Sequence, residues 1–281
     1  MAEEIVLITG TSAGLGLSTV YVLAKQTDKK FKVYASMRKS SKRDELLEKT
    51  AGCRNVVVIE MDVCSEDSVN AAVKEILEKE GRIDVVVNNA AIGWCGVLEV
   101  QPWESITSIY ETNVYGVLRV IRSVVPSMKK NKKGRIINIS SIAGIHCSPF
   151  FTVYGSSKYA LEGITDSLAP ELASFNVHIV TIQPGAIKTR ALTQFAFNSG
   201  QLPDDDTSKL LGEKYVQTFA AEAINQAQTP EEVAEYILKA ITDEKPQPRY
   251  LTSKGFEEFA KSKFCDPTGR IPFEMSKTFL Q

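Results

Sequence analysis

The chain has 281 residues, of which 43% are hydrophobic and 24% charged, a composition typical of a globular protein with a substantial core. Its formal net charge of −1 at pH 7 excludes a whole-molecule field that would recruit nucleic acid or an anionic membrane surface. The five cysteines are scattered without CxxC or Cys/His ligand spacing, which predicts reduced thiols, no metal site and a cytoplasmic location.

Short runs rich in Val and Ile recur along the chain, with helical patterns between them. Apolar runs of this length are typical of strands buried on both faces of a parallel sheet. Their alternation with helices predicts an α/β fold, a single Rossmann-like domain over residues 1–281 whose doubly wound parallel sheet carries helices on both faces. The predicted strands are 5–9, 32–36, 56–61, 84–88, 135–139, 178–183 and a short one at 249–252, and the predicted helices are 15–26, 42–50, 66–80, 104–129 and 154–175.

A glycine-rich loop, TGTSAGLG at residues 9–16, follows the first predicted strand and opens the first predicted helix. Gly10 permits a tight turn, Gly14 lets the backbone approach a cofactor closely, and Gly16 allows the helix to pack on the sheet. The N–H groups at the helix N-terminus would face a pyrophosphate. The loop therefore predicts dinucleotide binding rather than a plain glycine turn, with Thr11, Ser12 and Leu15 as further contacts.

The end of the second predicted strand indicates which dinucleotide binds. Residues 36–39 read SMRK, with no acid before Asp44 of the kind that holds the ribose 2′-hydroxyl of NAD. Arg38 can clamp a 2′-phosphate through charge-assisted hydrogen bonds, which predicts NADP(H); a solvated basic loop is the alternative. The ends of the next two strands add Asp62 and Val63 near the adenine and Asn89, Ala90 and Ala91 near the ribose.

A tyrosine and a lysine, Tyr154 and Lys158, stand four residues apart in a helical pattern, which places them on one helix face. A neighbouring ammonium lowers the pKa of a phenol from about 10 and suits it to general acid/base work. Ser141, at the end of the fifth strand, can stabilise a developing oxyanion. Asn113 lies in a long helical pattern, where an ordinary polar helix position is the alternative to a functional role.

In these motifs the sequence resembles the short-chain dehydrogenase/reductase family. The glycine loop matches TGxxxGxG, residues 88–91 match NNAG with Ala91 for the last glycine, and 184–189 match PGxxxT. The resemblance implies a catalytic tetrad of Asn113, Ser141, Tyr154 and Lys158, with Pro184, Gly185 and Thr189 near the nicotinamide. It also implies hydride transfer to a carbonyl, with the proton supplied by the tyrosine, the nicotinamide ribose held by the lysine, and a water-linked relay ordered by the asparagine.

Four further segments are similar to the branch that contains 17β-hydroxysteroid dehydrogenase type 1 and photoreceptor retinol dehydrogenase. They are FKVYASMR at 31–38, TPEEVAE at 229–235, RYLT at 249–252 and DPTG at 266–269. This resemblance implies a lipophilic alcohol or carbonyl, such as a retinoid or a steroid, and a homodimer through the long helices. A carbonyl reductase of broad specificity and a catalytically silent NADP-binding protein are the alternatives.

Departures from that branch lie where substrate specificity is set. Residues 142–151 read IAGIHCSPFF, and His146 is either a pocket residue or a structural one. The polar stretch 190–230 is expected to be a mobile excursion over the site. The tail 255–281 is expected to pack on the domain, with a membrane-surface helix as the alternative, and no apolar run approaches the about 18 residues of a membrane span. The predicted substrate contacts are Ser141, Ile142, His146, Phe150, Phe151, Tyr154, Leu192 and Phe195.

Overall fold

The structure, a computed structural model, describes residues 3–28, 30–190, 192, 202–215, 218 and 221–278. Seven parallel strands form one sheet in the order β3-β2-β1-β4-β5-β6-β7. Strand order reverses between β1 and β4, and in such sheets ligands bind in the crevice at the carboxyl ends of the strands on either side of the reversal. The strands are β1 Glu4–Ile8, β2 Phe31–Met37, β3 Val56–Glu60, β4 Val85–Asn88, β5 Gly134–Ile139, β6 Val177–Gln183 and β7 Arg249–Leu251.

Helices cover both faces of the sheet, because successive side chains of each strand point to opposite sides. Val6 and Ile8 face a cluster that includes apolar residues of α1 and α9, whereas Ile5 and Leu7 face one built with α3, α5 and α6. The helices are α1 Gly14–Ala24, α2 Asp44–Lys49, α3 Glu66–Glu80, α4 Trp103–Tyr110, α5 Gly116–Asn131, α6 Thr152–Ala173, α7 Asp206–Tyr215, α8 Ala221–Asn225, α9 Pro230–Thr242, α10 Glu257–Cys265 and α11 Arg270–Lys277.

The predicted α/β fold is confirmed, and each predicted strand ends within one residue of an observed one. The helix predicted over 104–129 is instead two α-helices joined by a π-helical turn at Glu111–Tyr115. Helix α9 was not predicted, although its start carries a capping box between Thr229 and Glu232 and a proline, Pro230, in its first turn. The prediction missed this helix because it treated the preceding polar stretch as irregular.

The segment after β6 and the tail both return to the carboxyl end of the sheet. Two backbone hydrogen bonds join residues 186–188 to Gln228, from Lys188 N–H to Gln228 O (2.8 Å) and from Gln228 N–H to Ala186 O (3.0 Å). In the tail, the Phe259 ring lies 4.6 Å from the His146 ring, and the Arg249 guanidinium lies 5.4 Å from the Phe264 ring. Across the part of the chain that the structure describes, no helix has the length and apolar character needed to cross a bilayer.

Candidate active site at the carboxyl ends of the strands

The loop between β1 and α1 forms a backbone cradle. Gly10 (φ +69°) and Gly14 (φ +59°) adopt left-handed conformations that favour glycine. A Cβ on Gly10 would lie 2.8 Å from the Cα of Ala90, so a side chain there would fill the cradle. No side chain caps α1 at Ala13, and the N–H groups of its first turn therefore remain able to bind an anion.

Thr9 and Asn89 fasten this cradle to the end of β4. The Thr9 hydroxyl oxygen accepts hydrogen bonds from the backbone N–H groups of Asn89 and Ala90, both at 2.9 Å. The Asn89 amide donates to the carbonyl oxygens of Thr9 (2.8 Å) and Gly10 (3.0 Å). The two NH₂ hydrogens of Asn89 thus hold the shape of the loop, and its predicted contact with a ribose stays a prediction.

Two other predicted cofactor residues also have local partners. The Thr11 hydroxyl is buried and donates to the Ser36 carbonyl oxygen on β2 at 3.0 Å, so it faces the sheet. The Asp62 carboxylate accepts from the backbone N–H of Cys64 at 3.0 Å, which fixes the chain after β3, and Val63 beside it is buried. Ser12 is half-buried in the loop, whereas Leu15 is buried in α1.

The end of β2 presents exposed positive charge. The Arg38 side chain is exposed and makes no hydrogen bond or ion pair with the residues that the structure describes. Lys39, Lys42 and Arg43, which follow it, are exposed as well. A carboxylate does bond to this segment: the Glu60 side chain accepts from the Ser40 backbone N–H at 3.2 Å. Sequence reasoning missed Glu60, although it ends the neighbouring strand.

Three of the four predicted catalytic side chains meet where β5 ends and α6 begins. Lys158 is 2% exposed, and its Nζ donates to the carbonyl oxygen of Ile139 at 2.8 Å. The same Nζ lies 5.7 Å from the centre of the Tyr154 ring. Ser141 is buried and shares a hydrogen bond with the Tyr154 hydroxyl, while its Oγ accepts from the backbone N–H of Ala143 at 3.1 Å.

Burial controls the charge state of this group. Desolvation raises the pKa of Tyr154 to about 12, and the hydrogen bond to Ser141 acts in the opposite direction. Desolvation also lowers the pKa of Lys158 to about 8, opposed by the negative charge of Glu162. The sequence predicted a lowered pKa for the phenol. The structure differs, because loss of solvation outweighs the hydrogen bond from Ser141, and Tyr154 stays protonated at neutral pH.

Asn113, the fourth predicted catalytic residue, lies in the π-helical turn and is 1% exposed. Its Oδ1 accepts from the Ile92 backbone N–H at 2.9 Å, and its Nδ2 donates to the Ile92 carbonyl oxygen at 2.8 Å. Nδ2 also donates to the Ser157 hydroxyl at 3.0 Å, next to Lys158 on α6. Asn113 therefore ties the chain after β4 to the helix that carries the tyrosine and the lysine, and π-helical turns inside helices are frequent at functional sites.

Aromatic side chains cluster beside Tyr154. The buried Tyr215 ring of α7 lies 5.1 Å from Phe150 and 6.4 Å from Phe151, and the Phe151 ring lies 6.1 Å from Tyr154. Phe150 holds a left-handed backbone (φ +69°), and its carbonyl oxygen accepts from the Gly96 N–H at 2.8 Å. Sequence reasoning missed Tyr215; the available signal was a lone aromatic residue ending a short polar helix.

The remaining predicted substrate residues differ in their surroundings. His146 is 5% exposed and packs on Phe259, and burial together with Lys263 lowers its pKa to about 4, so the ring is neutral. Ile142 is buried beside Ser141, and the Leu192 N–H bonds to the Thr189 carbonyl oxygen at 3.0 Å. Phe195 lies outside the described residues.

The predicted PGxxxT segment lies between the glycine loop and the tail. The Pro184 carbonyl oxygen accepts from the Ile142 backbone N–H at 2.9 Å, which joins this segment to the chain after β5. A Cβ on Gly14 would lie 3.3 Å from the Thr189 methyl group, and one on Gly185 would lie 3.1 Å from the Phe256 ring. The segment therefore reaches the glycine loop at one end and the tail at the other.

Comparisons with known proteins show which proteins this chain is similar to. A family model described as short chain dehydrogenase matches residues 4–198. The chain is 34% identical over 275 residues to 17-beta-hydroxysteroid dehydrogenase type 1 of Mus musculus, covering 96% of this chain and 79% of that protein. It is 33% identical over 286 residues to retinol dehydrogenase 8 of Bos taurus, covering 99% and 91%.

Solved structures give the same result. A short-chain dehydrogenase from Streptomyces avermitilis superposes with a TM-score of 0.76 at 25% identity, covering 98% of each chain. The structure of ElxO with NADP bound gives a TM-score of 0.76 at 26% identity, covering 92% of this chain and 100% of that chain. Sequence and structure therefore converge on one set of proteins.

Proposed function

This chain belongs to the short chain dehydrogenase family, and on that premise we propose that it interconverts a lipophilic carbonyl compound and its alcohol with NADP(H). The observation that carries the proposal is the meeting of Ser141, Tyr154 and Lys158 at the carboxyl end of the sheet. The glycine cradle lies at the same edge, beside the reversal in strand order. This arrangement suits transfer of a hydride and a proton to one carbonyl group.

The residues present fit a dinucleotide. The uncapped start of α1 offers N–H groups to a pyrophosphate, and the positive φ angles of Gly10 and Gly14 keep side chains out of the way. Bound NADP(H) would supply or accept the hydride. The residues proposed to hold it are Gly10, Thr11, Ser12, Gly14, Leu15, Gly16, Arg38, Asp62, Val63, Asn89, Ala90, Ala91, Tyr154, Lys158, Pro184, Gly185 and Thr189.

The choice of NADP over NAD rests on the end of β2. Arg38 is exposed and free of protein partners among the described residues, so its guanidinium can bind a 2′-phosphate without breaking an existing contact. The exposed cations that follow it add to the positive potential. A relative of similar structure, ElxO, binds NADP, which supports the same choice.

The proton in carbonyl reduction comes from Tyr154. A phenol with a pKa of about 12 is protonated at neutral pH and can donate as negative charge develops on the carbonyl oxygen. The Ser141 hydroxyl, which shares a hydrogen bond with that phenol, stabilises the same oxygen. Lys158, with a pKa of about 8, keeps most of its positive charge at neutral pH and favours the phenolate left behind.

The substrate is proposed to be apolar and retinoid- or steroid-like. Phe150, Phe151 and Tyr215 present aromatic surface beside the catalytic phenol, which suits a flat hydrophobic molecule. The relatives at 33–34% identity are a hydroxysteroid dehydrogenase and a retinol dehydrogenase. We further propose a single domain over 1–281 whose stretch 190–230 lies over the site; residues 191, 193–201, 216, 217, 219 and 220 of that stretch lie outside the described residues. The homodimer and the cytoplasmic location stay predictions.

The test is turnover by the purified chain. Oxidation of NADPH and of NADH is followed with a retinoid aldehyde, a ketosteroid and short aliphatic aldehydes, and we expect NADPH and the lipophilic substrates to be preferred. Tyr154→Phe removes the proton donor and should lower kcat at least about 100-fold while NADPH still binds. Tyr110→Phe is the matched control, because this phenol, which bonds to Ser156 Oγ at 2.9 Å, lies on α4 outside the catalytic group.

Three outcomes would change the proposal. Activity of Tyr154→Phe within about threefold of the parent would reject the tyrosine as proton donor. Equal use of all aldehydes would replace the lipophilic assignment with a carbonyl reductase of broad specificity. Binding of NADPH without turnover of any substrate would make the chain a silent dinucleotide-binding protein.

A further inference from the structure

A row of polar side chains crosses the sheet beneath α6. Asn88 on β4 lies opposite Asn138 on β5. Asn138 in turn lies opposite Thr181 on β6, and Thr181 lies opposite Arg249 on β7. Asn88 and Asn138 are joined by a hydrogen bond of 2.8 Å, and both are buried. Apolar residues dominate the rest of this face, so a polar row here needs partners on the helix above it.

Helix α6 supplies those partners, and the central one is Glu162. This residue is 7% exposed and stands one turn beyond Lys158, on the same helix face. Its Oε2 accepts from the Thr181 hydroxyl at 3.2 Å and from Arg249 Nε at 3.0 Å. Its other oxygen, Oε1, is buried and has no hydrogen-bond partner among the described residues. A carboxylate this buried is costly unless positive charge stands close to it.

The charges around Glu162 alternate in sign. Arg249 also donates through Nη2 to both oxygens of Asp166, at 2.5 and 2.6 Å, so its positive charge is shared between two carboxylates. On the other side of Glu162, one helical turn back along α6, stands Lys158, which is almost fully buried and is acted on by the negative charge of Glu162. Lys158, Glu162, Arg249 and Asp166 therefore form a neutral chain of charges from the catalytic lysine to the protein surface. Removal of Glu162 would leave two buried or half-buried cations without their shared anion.

We propose that Glu162 is a positioning residue that keeps the Lys158 ammonium protonated at the pH of catalysis, with Arg249 and Thr181 holding its carboxylate in place. The proposal rests on the function proposed above, because Lys158 matters there through its charge. The titratable groups that face this set are Tyr154 on the same helix, Cys147 before it and Arg249 from β7. Burial raises the pKa of the Cys147 thiol to about 11, so Cys147 adds no charge near neutral pH.

The experiment compares Glu162→Gln with the parent. Glutamine keeps the size of the side chain and one acceptor oxygen for Thr181 and Arg249 but removes the negative charge. The pH midpoint of Lys158 protonation is measured directly by NMR titration of protein labelled with carbon-13 at the lysine Cε atoms. The Lys158 signal is assigned as the one that disappears in Lys158→Arg. The alkaline limb of kcat/KM for carbonyl reduction is measured in parallel. Both should move to lower pH by about one unit in Glu162→Gln.

Two further variants separate charge from structure. Glu162→Asp keeps the charge and should keep both midpoints close to the parent values. Asp166→Asn removes the more exposed carboxylate on the same arginine, one turn further along α6, and should leave the Lys158 midpoint within about 0.3 units of the parent value. If Glu162→Gln does not fold, Glu162→Gln/Arg249→Met removes both charges together and should shift the lysine midpoint in the same direction by a smaller amount.

The results decide the two proposals separately. The role of Glu162 would be overturned if Lys158 titrates at the parent pH in whichever charge-removing variant folds. It would also be overturned if Asp166→Asn shifts the Lys158 midpoint as far as that variant does. A shifted midpoint with an unshifted alkaline limb would also overturn it, because the lysine charge would then not govern the reaction. Absence of turnover in the parent protein would overturn the proposed function, while the NMR titration would still show whether Glu162 keeps Lys158 protonated.

Discussion

Gly16→Ala tests whether the glycine cradle is as tightly closed as its geometry implies. A Cβ on Gly16 would lie 2.4 Å from the carbonyl oxygen of Gly10 and 2.6 Å from Nδ2 of Asn89. The first contact is with backbone, which cannot rotate away, so the loop must move. The second is with the amide that holds the loop through the Thr9 and Gly10 carbonyl oxygens. The smallest possible side chain therefore breaks the fastening between β1 and β4.

The magnitude follows from those contacts. Loss of two hydrogen bonds costs about 1–3 kcal/mol, and the strain of an overpacked site adds about 1–3 kcal/mol. We therefore expect the free energy of unfolding to fall by about 2–6 kcal/mol. The same movement displaces the N–H groups at the start of α1. If two charge-assisted hydrogen bonds of about 1.5 kcal/mol each are lost, NADPH affinity falls by about 100-fold.

Urea unfolding monitored by circular dichroism gives the free energy of unfolding, and titration of NADPH fluorescence gives the NADPH affinity. Gly163→Ala is the matched control, because this exposed glycine of α6 has no atom within 4 Å of its Cβ position. It should gain about 0.5–1 kcal/mol of stability from helix propensity and leave NADPH affinity unchanged. The reasoning fails if Gly16→Ala unfolds at the parent urea concentration and binds NADPH as tightly as the parent.

The other two predictions concern Arg38 and His146. Arg38→Asp should weaken NADPH binding by about 10–100-fold, because a charge-assisted hydrogen bond is lost, and should weaken NADH binding far less. Equal losses of NADPH and NADH affinity in fluorescence titrations would reject a 2′-phosphate contact. Burial lowers the pKa of His146 in the folded chain from 6.5 to about 4, so the unfolded chain takes up this proton first as the pH falls. The free energy of unfolding held above pH 6.5 is therefore lost progressively down to pH 4. The loss is about 3 kcal/mol at full extent. His146→Phe, which binds no proton, should lose correspondingly less stability between pH 7 and 4.5 in urea unfolding, and parallel curves for the two proteins would contradict the assignment.

Local pattern was enough to predict the sheet and the side chains that meet at its carboxyl end. The Val- and Ile-rich runs predicted the first six strands because a strand buried on both faces needs apolar residues at most positions, and the seventh was predicted separately at 249–252. The glycine loop and the Tyr154–Lys158 pair were equally visible, since a strand-to-helix turn and a spacing of one helical turn depend on neighbours in the chain. Because carboxyl ends of adjacent parallel strands share one edge, these local motifs also predicted where the site lies.

Contacts between distant segments were decided by the tertiary structure alone. Glu162 and Arg249 are 87 residues apart in the sequence and meet only because β7 lies beside β6 under α6. The Asn113 turn becomes π-helical where its amide bonds to residue 92 and to Ser157, and neither partner follows from helical periodicity. The pKa of Tyr154 rises because the packed segments around it exclude water, whereas the spacing of Tyr154 and Lys158 predicted a fall. A sequence records which side chains are available, but desolvation and long-range pairing exist only once the chain has packed.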